Sequence, residues 1–101
     1  MIGRIVCYTL GSEPTPAQRN KFRKMFFGYL DHSCGGRYKY VRRGLMSDIP
    51  HVKLVRSVFI VRKEDCRKVV DFLEKNGATV YVRDVIITPD DRKVLLDQLR
   101  A

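Results

Sequence analysis

Residues 52–62 read Val52-Lys53-Leu54-Val55-Arg56-Ser57-Val58-Phe59-Ile60-Val61-Arg62. In an extended chain Val52, Leu54, Val58 and Ile60 fall on one face, and Val55, Phe59 and Val61 on the other. Side chains alternate along a strand with period two, so apolar residues on both faces predict a strand covered on both sides, at the centre of a sheet. Ile2–Leu10 has the same character, with Ile5, Val6, Cys7, Tyr8 and Leu10. Two such strands organise the rest of the chain around them.

Between them, Thr15-Pro16 reads as a helix start, a hydroxyl cap followed by proline at the first helical position. The helix signal then runs to about Leu30, with Phe22, Met25, Phe26, Tyr29 and Leu30 as its apolar stripe. Asp31–Gly36 closes it, with Gly35-Gly36 as a turn. Arg37–Arg43 reads as a second strand in which neither face is uniformly apolar, so it is expected at a sheet edge, where its charges deter aggregation. Gly44–His51 is a connector. After the central run, Glu64–Asn76 is expected as a second helix on Cys66, Val69, Val70 and Leu73, stopped by Asn76-Gly77. Ala78–Thr88 is expected as a fourth strand. Thr88-Pro89-Asp90-Asp91 repeats the cap, proline and acid pattern and starts a short last helix through Leu95, Leu96 and Leu99.

This order, β-α-β-β-α-β plus a terminal helix, resembles the ferredoxin-like α+β topology: a four-stranded antiparallel sheet with two helices on one face. The resemblance implies a single domain over residues 1–101, with a core at 2–88 and a C-terminal helix at 89–100. It also places the first and third strands centrally, the two that are most apolar. A superfold of this kind hosts many functions, so topology assigns none.

Composition narrows the setting. A chain of 101 residues is expected to be one domain. No apolar run reaches the ~18–20 residues of a membrane span, and no charged leader precedes a short apolar stretch, so a soluble cytoplasmic protein is expected. Three cysteines make no closed disulfide framework and match no paired zinc spacing. Cys7 and Cys66 read as small core residues, while Cys34 sits in a glycine-containing connector. Twelve arginines beside two asparagines and two glutamines suggest a thermophilic source.

Charge is the functional clue. Residues 1–43 hold nine basic side chains against two acidic ones, which is seven of the chain's nine excess positive charges. Folding does not require such an asymmetry, and an anionic partner such as nucleic acid compensates it. Arg19, Lys21, Arg23 and Lys24 make the first helix basic, and Phe27 lies off its apolar stripe. Either the cations hold phosphates and Phe27 packs on a base or a partner chain, or the face is merely solvated and Phe27 is covered by the last helix. The second basic unit is Arg37-Tyr38-Lys39-Tyr40-Val41-Arg42-Arg43. Arginine forks match phosphates and tyrosine rings stack on bases, so this hairpin would enter a groove; the plain alternative is an edge strand with half-buried tyrosines. Arg56 and Arg83 either add to a basic sheet face or pair with acids such as Asp84 or Glu64.

Signatures known on this topology do not fit. An RNA-recognition domain carries a glycine and several aromatics in its third strand, whereas Leu54–Val61 holds no glycine and one aromatic. Rolling-circle nucleases need a closely spaced histidine pair, and His32 and His51 are far apart in sequence. The small CRISPR adaptation nucleases resemble this chain in topology, size and dimeric habit. They end the first strand on a metal-binding aspartate, where this chain has Tyr8-Thr9-Leu10. Asp31, His32 and Cys34 with His51 lack a second ligand pair, and a helix-end turn is the simpler account, so no metal or cofactor is expected. The sequence therefore predicts a small non-enzymatic nucleic-acid-binding protein, with duplex favoured because cations outnumber stacking aromatics. A homodimer through Leu95, Leu96 and Leu99 or an edge strand would double its phosphate contacts. A metal-dependent nuclease using Glu13, Asp31 and Asp48, and a module docking on an acidic protein, are the alternatives.

Overall fold

The computed structural model describes the chain except Ser12, Cys34 and Ala101, with the backbone alone at Ser33; the connector cysteine thus lies outside the described residues. The elements are β1 (Ile2–Leu10), α1 (Pro16–Phe27), β2 (Gly28–Ser33), β3 (Tyr38–Arg43), a 3-10 turn (Leu45–Asp48), β4 (His51–Val55), β5 (Val58–Arg62), α2 (Lys63–Lys75), β6 (Ala78–Ile86) and α3 (Pro89–Arg100). The fold is mixed α+β, with three helices and a four-stranded antiparallel sheet. The chain divides into two compact units, Pro14–Asp48 and the remainder.

In the larger unit the strand order is β4-β5-β1-β6. The two most apolar segments, β1 and β5, are the central pair, joined in the register Ile5↔Ile60. Residues 52–62 are not one strand. Arg56 and Ser57 turn the chain back, Ser57 taking φ 67°, so the run folds into the antiparallel pair β4–β5. The continuous alternation hides this because a serine in the left-handed region gives no strong turn signal.

Within the larger unit, α2 and α3 cover opposite faces of this sheet. Val6, Tyr8, Phe59 and Val61 share a face by register, and Cys66, Val69 and Leu73 are the buried residues of α2, which packs against β1, β5 and β6. Burial pushes the Cys66 thiol above its usual range, with the Arg4 guanidinium opposing. On the other face Ile60, Ile87 and Leu95 form a cluster with Ile5, Val52 and Val85 packed against it, which is where α3 docks. Leu95 is fully buried, so it belongs to the core and is removed from the expected dimer surface; Leu96 and Leu99 are exposed.

Local chemistry sets the ends of these elements. Thr88 Oγ1 accepts from Asp91 N at 3.2 Å, capping α3 as its sequence predicts. Arg62 Nε donates to Asp65 Oδ2 at 2.7 Å, with Glu64 at 3.5 Å, so these two acids of the first turn of α2 are occupied. That pairing raises the Arg62 pKa further above neutrality, chiefly through its hydrogen bond to Asp65. Gln98 Nε2 donates to His51 O at 2.7 Å, and Gln98 Oε1 accepts from His51 N at 2.8 Å. One side-chain amide thereby satisfies both outward backbone groups of His51 on edge strand β4, as a neighbouring strand would.

The smaller unit departs from the expected arrangement. Arg37–Arg43 does not border the main sheet: β3, which starts at Tyr38, pairs with β2 in a separate two-stranded sheet. The helix expected to reach Leu30 ends at Phe27, and Tyr29 and Leu30 are strand residues.

Two outcomes test this core. Leu95→Ala should cost about 2–5 kcal/mol in urea unfolding, and Leu99→Ala under about 1 kcal/mol; equal losses would refute the assignment of Leu95 to the core. In native protein near pH 8, iodoacetamide should leave Cys66 unmodified until denaturant is added, because a buried thiol with a raised pKa offers little thiolate.

Candidate nucleic-acid interface

The unit Pro14–Asp48 contains eight of the chain's twenty basic residues and two of its eleven acidic ones. Its helix starts as the sequence requires. Thr15 Oγ1 accepts from Gln18 N at 3.1 Å, and Thr15 N donates to Gln18 Oε1 at 2.8 Å, a reciprocal capping box. Only Phe22 and Phe26 are buried on α1, and Met25 is exposed. Phe27 is half-buried and meets the Phe26 ring edge-on at 4.7 Å between centroids. The structure thus gives Phe27 a ring partner within its own helix.

The helix end explains the missed boundary. Gly28 takes φ 80°, and its N–H donates to Lys24 O. Only glycine tolerates this conformation without strain. The chain leaves the helix there and enters β2 directly. Gly44, at the far end of β3, lies against the same point: a Cβ on it would sit 2.7 Å from Phe26 O and closer still to Gly28 N. Two glycines therefore let the helix end and the hairpin's foot touch through backbone. At the hairpin's tip Gly35 and Gly36 have φ 67° and 87°, forming the turn that the glycine pair predicts.

The basic residues of α1 do not share one face. At roughly 100° per residue, Lys21 and Lys24 lie on one side with Ala17 and Asn20, and Arg19 and Arg23 lie on another. All four are exposed. The Lys21–Lys24 side forms one wall of an open groove of about 500 Å³, lined by Asn20, Lys21, Lys24, Met25, Tyr29 and Arg43. Met25 and Tyr29, which their spacing assigned to a buried stripe, line this groove instead. Gly28, just ahead of Tyr29, is the sequence signal for the change at Tyr29.

The hairpin register is Tyr29↔Arg42, Asp31↔Tyr40 and Ser33↔Tyr38, alternating with Gly28↔Arg43, Leu30↔Val41 and His32↔Lys39. Residues directly opposite point the same way, so Tyr29, Tyr38 and Tyr40 share a face with Asp31 and Arg42. Lys24 Nζ lies over the Tyr29 ring at 4.8 Å, and the Arg42 guanidinium over the Tyr40 ring at 5.7 Å. Arg42 Nε also donates to Asp31 Oδ2 at 3.2 Å, and Arg43 is paired with Asp48 and donates to Ser47 O at 3.4 Å. Two expected phosphate ligands, Arg42 and Arg43, are thus engaged by carboxylates inside the unit. Arg19, Lys21, Arg23, Lys24, Arg37 and Lys39 have no ion pair among the described residues.

Elsewhere, Asp84 lies 2.6 Å from Arg4 Nε and Glu64 is paired with Arg62, so neither neutralises Arg56 or Arg83, which are exposed. Arg83 Nη1 donates to Val82 O at 2.7 Å. The metal-ligand types near the end of the first helix are placed apart by the hairpin's alternation: Asp31 faces the tyrosines and His32 the opposite side. His51 Nδ1 lies 2.8 Å from Ile49 O. Among the described residues no three His, Cys, Asp or Glu side chains are close enough to hold a metal ion. No described helix is long and apolar enough to cross a membrane.

No family model matches the chain, and no solved structure matches it. Among curated proteins it is similar to the protein suppressor of hairy wing of Drosophila ananassae, at 32% identity over 77 residues. That match takes in 74% of this chain and 9% of the other, so the chain spans under a tenth of this relative. A local likeness of that extent assigns neither a family nor an activity.

The glycine contact at the hairpin's foot has a direct test. Gly44→Ala should destabilise the hairpin and disperse the Lys24–Tyr29 contact, seen as loss of amide protection across residues 28–43, while residues 58–62 keep theirs. Unchanged protection at the hairpin would show that the close approach is not required.

Proposed function

We propose that this protein binds nucleic acid through the unit Pro14–Asp48, with Lys21 and Lys24 as the principal phosphate ligands and Arg19, Arg23, Arg37 and Lys39 as further ones. What carries this reading is the set of six exposed cations without a carboxylate partner among the described residues, gathered in one small unit. Cations left unpaired on a compact unit repel one another, and an anionic polymer relieves that repulsion by releasing its counterions. Arg42 and Arg43 act first on Asp31 and Asp48, which fixes the hairpin, and contribute to phosphate binding with their remaining donors. Phe27, packed on Phe26, supports the helix more than it offers a ring to a base.

The architecture fits a ferredoxin-like reading with one elaboration. Counted alone, the four sheet strands follow the order 2-3-1-4, and the first crossover carries α1 together with the extra hairpin. Leu96 and Leu99 on α3 offer a surface for a homodimer, which would double the phosphate contacts. Docking on an acidic protein is the competing account, and it predicts capture that survives nuclease treatment.

Fluorescence anisotropy across salt decides between them. Binding should fall linearly in log–log form with salt. Lys21→Ala with Lys24→Ala should reduce the slope by about 1–2, roughly one for each phosphate that is no longer neutralised. Arg42→Ala with Arg43→Ala should change the slope less and stability more. Absence of binding to duplex DNA, single-stranded DNA and RNA at low salt would refute the proposal.

A further inference from the structure

We infer that the hairpin's tyrosine face is a stacking platform for an unpaired polynucleotide strand, which rests on the nucleic-acid reading above and narrows it. Tyr29, Tyr38 and Tyr40 are 39%, 51% and 49% exposed on one face of a two-stranded ribbon. None of the three is stacked on another ring among the described residues. No residue of β3 is buried, so Tyr38 and Tyr40 leave about half of their surface to solvent, and Tyr29 on β2 somewhat less. Burial of such rings is where aromatic residues ordinarily contribute to stability.

Their spacing suits consecutive bases. Tyr38 and Tyr40 are two residues apart on one strand, about 6.6–6.8 Å. Tyr40 and Tyr29 are diagonal neighbours across the register, roughly 7–8 Å apart. The rings are therefore separated steps in a line and not a closed stack. Lys24 and Arg42 stand over two of them, so each of those rings holds a cation on one side and leaves its other side for a base. Aromatic rings with interleaved cations are the composition of single-strand binding surfaces.

A duplex fits this face poorly. Its bases show only their edges, so tyrosine ring faces find nothing to stack on. The expectation of duplex from the ratio of cations to aromatics counted Arg42 and Arg43 as free and left out Tyr29.

The test uses the full chain with labelled oligo(dT), oligo(rU) and a duplex of equal length at one low salt concentration. Both single strands present the same stacking chemistry, and the two arms show whether the sugar matters. Single strands should bind at least tenfold more tightly than duplex. Tyr40→Leu and Tyr38→Leu should each weaken single-strand binding about 5- to 100-fold with the salt slope unchanged, and Tyr40→Phe, which keeps the ring, should lose much less. The chain has no tryptophan, so tyrosine emission is directly observable and should be quenched on binding; that readout holds if a leucine variant fails to fold. Duplex bound as tightly as single strand, or leucine variants that bind single strand as the parent does, would overturn the inference and leave nucleic-acid binding standing. No binding to any of the three would overturn both.

Discussion

Gly28 and Gly44 meet through their backbones at the point where α1 gives way to the hairpin, and the geometry of the basic unit depends on that contact. A side chain on either would push the helix end away from the foot of β3. Because they touch, the helix stops at Phe27, the next residue already belongs to a strand, and Tyr29 comes beneath Lys24. Arg43, one residue before Gly44, is brought to the same groove and steadied by Asp48 and Ser47. A close approach of two main chains thus decides which charges and rings are neighbours, although neither glycine carries any chemistry itself.

Charge and packing are divided between the units. The larger unit surrounds its sheet with α2 on one face and α3 on the other, and most of its ion pairs are local, Arg62 with Asp65 and Glu64 and Arg67 with Asp71, while Arg4 with Asp84 joins β1 to β6. The smaller unit leaves six cations unpaired among its described residues and uses its two acids to brace two arginines. Exposed pairs of this kind contribute little stability, commonly below about 1 kcal/mol. Their consequence is positional: Arg42 and Arg43 are held while the lysines remain available.

Several features were legible from residues alone. Ile2–Leu10 and both proline-capped helix starts follow from alternation and from a hydroxyl followed by proline, which act within a few residues. The central position of the first strand followed from apolar residues on both faces. The basic character of residues 19–43 also needed only the sequence. The turn at Arg56-Ser57 did not show, because a non-glycine residue at positive φ is chosen by the pairing of β4 with β5 and not by its own preference. The end of α1 was misplaced for a related reason: Tyr29 and Leu30 continue the helical spacing, and only the contact of Gly28 with Gly44 overrides it.

The sequence by itself determined where charge accumulates, which segments extend or coil, and which side chains avoid water, since these depend on residue type and on neighbours within one or two turns. Tertiary structure alone decided that Arg37–Arg43 leaves the main sheet for a hairpin of its own, that Leu95 turns inward while Leu99 does not, and that three tyrosines separated by up to eleven positions share one face. Those outcomes depend on strand register and backbone approach between distant segments, and periodicity carries no information about which distant segment a strand will choose.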